Sequence, residues 1–281
     1  MPRQGNLNMN KYKYLVSRRI TQIAVLSLFF AGNAFGWSIL RGNLSSARIF
    51  DTVPLSDPFA VLQSFSAGAS IAVDALTGAL IIFLFYALIG GRVFCSWICP
   101  VNMVTDLAGW TRKALRLDLT LKYWDITRDV RYWGIALSIA LSVMMGVAAF
   151  EWISPIGALH RGVIYGFGFA WMFVLFVFLF DLLAVRNGFC GHVCPLGGFY
   201  SLAGRFGILR IGYDKNKCTS CMKCFEICPE NQVLAIVGSK SGPIRSGECI
   251  NCGRCIEVCD ENALKFSNIY SQNIILPNKE G

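Results

Sequence analysis

Four stretches of the chain are apolar on every side, with neither the alternation of a half-buried strand nor the polar stripe of a surface helix. Ile20 to Leu40 runs for 21 residues without a charge. As a helix it reaches about 31 Å, which matches the hydrocarbon core of a bilayer. Ala69 to Gly91 is 23 residues long with Asp74 as its one charge. Tyr132 to Phe150 and Gly162 to Phe180 are 19 uncharged residues each, the second containing the run WMFVLFVFLF. The pattern predicts four membrane helices.

Composition agrees with lipid as the solvent. Of the 281 residues 54% are apolar and 15% charged, where a soluble domain carries about 25% charged. Disorder, coiled coil and collagen are excluded by the same figures. The net charge of +9 is unevenly placed, since 23 of the 26 Lys and Arg lie before the first span, between the second and third, or after the fourth. The positive-inside rule then puts both termini and the middle loop of a multi-pass membrane protein in the cytoplasm. The excess needs no nucleic acid, for which the chain has no recognition module. Ser17-Arg18-Arg19 has the look of a twin-arginine signal, but no small-residue cleavage site follows, so it reads as the flank of a retained anchor.

The chain repeats itself. Phe94-Cys95-Ser96-Trp97-Ile98-Cys99-Pro100 and Phe189-Cys190-Gly191-His192-Val193-Cys194-Pro195 share the pattern F-C-x-x-x-C-P at an offset of 95, and Leu107-Ala108-Gly109 returns as Leu202-Ala203-Gly204. Pro58 with Gln63 five residues on returns as Pro155 with His160, now at an offset of 97. Each half is thus an outward span, an outer loop and a return span ending in C-x3-C-P. Halves that both start and end inside form a parallel repeat about an axis along the membrane normal.

All 12 cysteines fall between Cys95 and Cys259, and since secreted disulfide scaffolds are usually under about 100 residues and lack membrane spans, they read first as metal or redox ligands. Eight of them form C-T-S-C-M-K-C-F-E-I-C-P from Cys218 and C-I-N-C-G-R-C-I-E-V-C-D from Cys249. Both resemble the C-x2-C-x2-C-x3-C loops of bacterial two-cluster ferredoxins, where the fourth Cys of each loop serves the other cluster. The resemblance implies an α+β domain with two [4Fe-4S] clusters, one on Cys218, Cys221, Cys224 and Cys259, the other on Cys249, Cys252, Cys255 and Cys228. Zinc usually takes two separated Cys pairs, and cytoplasmic disulfides are rare. Cys228 is followed by Pro229 as in ferredoxins, but Cys259 by Asp260. Val233 to Val237 and Ala263 to Ser267 read as the accompanying strands.

The remaining cysteines have three readings. Cys95 with Cys99, and Cys190 with Cys194, stand four apart on one helix face. They are inert core thiols, a thiol couple that exchanges electrons, or four sulfurs meeting across the repeat axis to hold a further iron centre. Asp74, Glu151, Gln63 and His160 are placed near the outer face. Among them His160 and Asp74 are candidates for quinol proton chemistry, His because it titrates near neutral pH.

Four spans, two C-x3-C-P motifs and a pair of four-cysteine motifs together resemble the NapH family over roughly residues 18 to 267. The resemblance implies a ferredoxin-type membrane subunit of a quinol dehydrogenase. Such a subunit oxidises ubiquinol or menaquinol and passes electrons, with a NapG-like periplasmic iron-sulfur partner, to periplasmic nitrate reductase. NosR-type, MauN-type and CcoG-type proteins share the membrane pattern, so another respiratory or maturation pathway is the alternative. A purely structural anchor is a further class, and it would need no clusters. The expected organisation is a cytoplasmic segment over 1–19, a four-helix membrane domain over 20–200, a two-cluster ferredoxin domain over 210–268 and a tail over 269–281.

Overall fold

The computed structural model describes residues 12–117, 127–166 and 168–269; the expected tail lies outside them from residue 270, as does most of the N-terminal segment. The chain opens with α1 (Lys13–Ala34) and a three-stranded antiparallel sheet of β1 (Leu40–Gly42), β2 (Ser46–Ile49) and β3 (Val53–Ser56). Then come α2 (Pro58–Ser66), α3 (Val73–Ile89), α4 (Val93–Trp97) and α5 (Val101–Ala114). The second half has α6 (Val130–Met145), α7 (Ala149–Ile153), α8 (Pro155–Tyr165) and α9 (Ala170–Leu179), followed by two π turns (Phe180–Ala184 and Phe189–Val193) and α10 (Pro195–Ala203).

The apolar runs and the helices differ in their bounds, and the differences have local causes. Among the described residues, α1 is the one helix long and apolar enough to cross a membrane. It starts seven residues earlier than its apolar run because Arg18 and Gln22 are buried in the protein. It stops early because Gly36, in the left-handed region at φ 70°, turns the chain into β1. The other apolar helices are shorter, with 17 residues in α3 and 16 in α6, where Gly146 caps the end at φ 68°. Gly162 to Phe180 is not one helix, since α8 ends at Tyr165 and α9 begins at Ala170.

Two short helices, α2 and α8, stand largely in stretches expected to be outer loops. Asp57 precedes Pro58 and accepts from the Phe59 N–H at 3.1 Å, and Ser154 precedes Pro155 and accepts from the Gly157 N–H at 3.4 Å. Both are N-caps with Pro at the first helical position, where its missing N–H costs nothing. The two helices also tie the repeats together, because α1 of the first half packs on α8 of the second while α6 of the second packs on α2 of the first. Gln63 and His160 are fully buried on these helices rather than set at a face. Gln63 accepts from the Phe150 N–H at 2.9 Å and from Ser142 Oγ at 3.4 Å.

The C-terminal part is a small sheet with β4 (Leu209–Tyr213) between β5 (Gly242–Pro243) and β6 (Leu264–Asn268), and two short helices, α11 (Lys223–Ile227) and α12 (Arg254–Glu257). Residues 264–268 are a strand, as expected. Val233 to Val237 is not: Asn231–Leu234 is a turn of 3₁₀ helix whose Val233 and Leu234 are buried under the cysteine loops. A continuous apolar run carries no period-2 signal, and β4, with its central position, took the ladder instead. This part grips α1, for Glu257 Oε1 accepts from the Tyr14 and Leu15 N–H groups at 2.6 and 3.0 Å. A carboxylate there also suits the positive end of the helix.

Candidate functional site

The two four-cysteine loops have the same backbone. Each carries a residue in the left-handed region two and four places after its first Cys: Ser220 and Met222 in one, Asn251 and Gly253 in the other. Such turns point successive peptide N–H groups into the loop, where they favour anionic sulfur. The Ser220 N–H donates to Cys218 Sγ at 3.4 Å and the Ala263 N–H to Cys259 Sγ at 3.3 Å. Gly253 has a second reason to be Gly, since a Cβ would stand 2.6 Å from Cγ of Tyr14.

The structure brings Cys218, Cys221, Cys224 and Cys259 to the wall of one cavity of about 180 Å³. Cys228, from the first loop, lies near Cys249 and Cys252, and these three, with Cys224, are the thiols near Cys255. Burial, with the neighbouring thiols adding to it, pushes Cys249 up to about 11. Burial outweighs the nearby Arg210 and Arg92 and keeps the Cys249 thiol protonated, and a cationic iron core would make thiolates of such a group. Among the described residues no three His, Cys, Asp or Glu side chains are close enough for a single metal ion.

The C-x3-C-P cysteines also meet. Cys95, Cys99, Cys190 and Cys194 line one enclosed space of about 10 Å³ together with Phe94, Phe189 and Ile156. That is room for no more than one water. All four are free thiols, with Cys99 and Cys194 buried. Ser96 and Trp97, which lie between Cys95 and Cys99, bond to the second ferredoxin loop between Cys249 and Cys252. Ser96 Oγ donates to the Ile250 carbonyl at 2.6 Å and Trp97 Nε1 to the Asn251 carbonyl at 3.2 Å. Gly90 has to be Gly for this contact, because a Cβ would stand 2.5 Å from Asn251 Nδ2.

The other candidates lie apart from the sulfurs. Asp74 is exposed on the first turn of α3 and pairs with Arg48 at 2.8 Å. His160 is fully buried, with its ring edge-on to Phe29 at 4.7 Å and neither ring nitrogen hydrogen-bonded.

Comparison with known proteins separates the same two regions. Residues 71–118 and 167–212, one stretch in each repeat, match the family described as "4Fe-4S binding domain", and residues 210–260 match "4Fe-4S dicluster domain". The ferredoxin-type protein NapH of Escherichia coli (strain K12) is 44% identical over 83% of this chain and 81% of its own length. The chain belongs to the NapH family of ferredoxin-type proteins. NapH of Haemophilus influenzae is 43% identical over 79% of this chain and 77% of its own. The methylamine utilization ferredoxin-type protein MauN of Methylorubrum extorquens is as near, at 42% over 85% and 84%. No solved structure matches the chain.

For a NapH-family protein the joint between the two parts matters, and it holds residues that sequence reasoning passed over. Glu230, two places after Cys228, is buried and faces three arginines: Arg92 Nη1 donates to it at 2.5 Å, Arg128 pairs with it, and Arg131 lies at 3.7 Å. Arg92 also donates to the Glu248 carbonyl at 3.0 Å and the Cys190 carbonyl at 2.8 Å. One guanidinium three residues before Cys95 thus holds the second C-x3-C turn and both ferredoxin loops. Glu248, beside Cys249, pairs with Arg131. Burial opposes the charge of Glu248, but the hydrogen bond from Gln232 and the charge of Arg131 outweigh it and hold the carboxyl below the usual range.

Breaking a buried pair costs about 3–5 kcal/mol because a charge is left without its partner. Arg92→Ala is expected near the lower end, about 3 kcal/mol, since Arg128 and Arg131 still face Glu230. Arg92→Lys should recover only part of this, for an ammonium lacks the planar fork. Thermal unfolding in detergent followed by circular dichroism measures both, and a melting point unchanged in Arg92→Ala contradicts the assigned role.

Proposed function

We propose that this protein is the membrane electron-transfer subunit of a quinol dehydrogenase, oxidising quinol and passing electrons through iron-sulfur centres towards periplasmic nitrate reductase. The observation that carries the reading is the direct bonding of the second ferredoxin loop to the first C-x3-C turn. Two sulfur sites that share a hydrogen-bonded wall are built to exchange electrons, whereas an anchor needs neither.

In this reading residues 20–200 form a four-span domain in the inner membrane with both termini cytoplasmic, and 210–268 a two-cluster ferredoxin domain. One [4Fe-4S] cluster belongs to Cys218, Cys221, Cys224 and Cys259 and the other to Cys249, Cys252, Cys255 and Cys228; bound there, they supply one-electron steps. Cys95, Cys99, Cys190 and Cys194 relay electrons as a thiol couple or hold a further iron centre. His160, buried and unbonded, and Asp74 at the outer surface handle protons released by quinol. A NapG-like periplasmic iron-sulfur protein is the partner.

The similar identity to MauN supports a second reading, the same membrane chemistry serving methylamine utilization. Membranes with and without this protein, supplied with quinol and periplasmic nitrate reductase, separate the two. Nitrate reduction that depends on the protein is the expected result, and equal electron flow in its absence sinks the nitrate reading.

A further inference from the structure

A second cavity, of about 180 Å³, lies between α1, the first sheet, α3 and α10. Its wall is mainly apolar, from side chains such as Val25, Phe29, Leu44, Leu55 and Ile82. Its polar members are Asn43, Ser56, Asp57, Tyr86 and Tyr200, of which Asp57 is the one carboxylate. An apolar chamber with a few convergent polar groups is what a small ligand needs.

The position of the chamber narrows the ligand. Phe94 lines it and also lines the space shared by the four C-x3-C-P cysteines. Tyr200 stacks on Phe94 with centroids 5.3 Å apart and packs edge-on to Tyr86 at 5.3 Å. One aromatic ring therefore stands between an apolar chamber and a group of sulfurs. The volume is below the roughly 300 Å³ at which drug-sized pockets begin, enough for a single substituted ring whose tail remains outside. A hydroquinone head has this form, a flat apolar ring with hydroxyls to hydrogen-bond.

Asp57 is placed to take protons. Its carboxylate caps α2, and the groups that face it are the Tyr200 and Tyr86 hydroxyls and the Glu151 carboxylate on α7. Burial, and after it the facing Glu151 carboxylate, make Asp57 hold a proton more readily than a free carboxyl. The Asp57 N–H donates to the Ser45 carbonyl at 2.9 Å, and Ser45 Oγ donates to Glu151 Oε2 at 2.6 Å. Glu151 is half-buried beside exposed Trp152 and Ile153 and receives Arg161 on its carbonyl at 3.4 Å, so a proton held by Glu151 is near the surface, while the Ser45 bonds fix the two carboxylates relative to each other.

We propose that this cavity receives the quinol head and that Asp57 is the catalytic residue that takes its hydroxyl protons in turn and hands them towards Glu151, His160 and Asp74 lying outside the cavity and acting only on protons already released. For each quinol two O–H bonds break and two protons leave by Asp57, and the two [4Fe-4S] clusters that the eight ferredoxin cysteines would hold would take one electron each past the Phe94 wall, leaving the quinone. The inference rests on the quinol reading and gives that reading a place.

The test uses the full-length protein in detergent and the fluorescent quinol analogue 2-heptyl-4-hydroxyquinoline N-oxide, whose quenching reports binding without turnover. Ala47→Phe fills the chamber from β2, and Leu55→Trp fills it from the half-buried edge should the first variant fail to fold. Either is expected to weaken binding at least about tenfold, a loss of about 1.4 kcal/mol. Asp57→Asn keeps the helix cap, since Asn caps as well as Asp, and should bind the analogue as before. It should slow quinol-dependent bleaching of the iron-sulfur absorbance about 100-fold, the lower end for a lost general base, and remove the rise of rate with pH. Filled variants that bind like the wild type, in a protein that still oxidises quinol, place the site elsewhere and leave the proposed function standing. An unchanged rate and pH profile in Asp57→Asn removes Asp57 from the chemistry. A wild type that neither binds the analogue nor is reduced by quinol overturns the quinol reading together with this inference.

Discussion

Cys221→Ser and Cys252→Ser are each expected to abolish one of two cubane signals in the electron paramagnetic resonance of the reduced protein. Bound iron should fall from about eight to about four atoms per chain, since each cubane holds four. The reason lies in how the sulfurs are shared. Cys221 is on the wall of the cavity that also has Cys218, Cys224 and Cys259, while Cys252 lies with Cys228 and Cys255. Each loop lends its last cysteine to the other, so the informative variants are Cys228→Ser and Cys259→Ser. The first should damage the centre formed mainly by the second loop, and the second the centre formed mainly by the first. Two intact signals in Cys221→Ser or Cys252→Ser contradict the ligand sets.

The other large effect concerns the C-x3-C-P pairs. Cys95→Ser and Cys190→Ser should each abolish quinol-driven reduction of the ferredoxin centres about as fully as the double variant, because residues that act as one unit are non-additive. The four sulfurs border a single space of about 10 Å³, so losing one alters the surroundings of the other three. Full electron flow in both single variants would return these cysteines to a packing role. Iron analysis separates the two chemistries: about eight iron in the wild type, from two cubanes alone, favours a thiol couple, and a higher content favours a further centre.

What could be read from the residues was local in sequence. Cysteine spacing is local, and so was the F-C-x-x-x-C-P echo, which needed only alignment of the chain with itself. The short helices α2 and α8 were legible in principle, because Asp57-Pro58 and Ser154-Pro155 are both a good N-cap before a proline. Their place between the spans made them look like outer loops. The sheet over residues 40–56 was hidden in the same way, its first strand lying at the end of an apolar run counted as span.

The arginines were illegible for a different reason. Arg92, Arg112 and Arg131 entered the charge count that oriented the spans, yet all three are buried, at 1%, 1% and 0% exposure. Arg112 donates to the Leu182 carbonyl at 3.1 Å and so ties α5 to the turn that follows α9. Nothing near them in sequence marks them as interior, because their partners Glu230, Glu248 and Leu182 are between 70 and 138 residues away. Charge asymmetry says where a loop lies, and packing decides what its charges do there.

The exchange of partners between the repeats bears on descent. With α1 packed on α8 and α6 packed on α2, each half adds to the cover that the other gives its own short helix through α3 or α9. A half-length chain would lack that added cover, and two copies related by a twofold axis would supply it to each other. The internal symmetry has the form of two half-length copies joined in one chain. Once fused, the copies were free to diverge, so that one now has Gln63 bonded into the bundle where the other has His160.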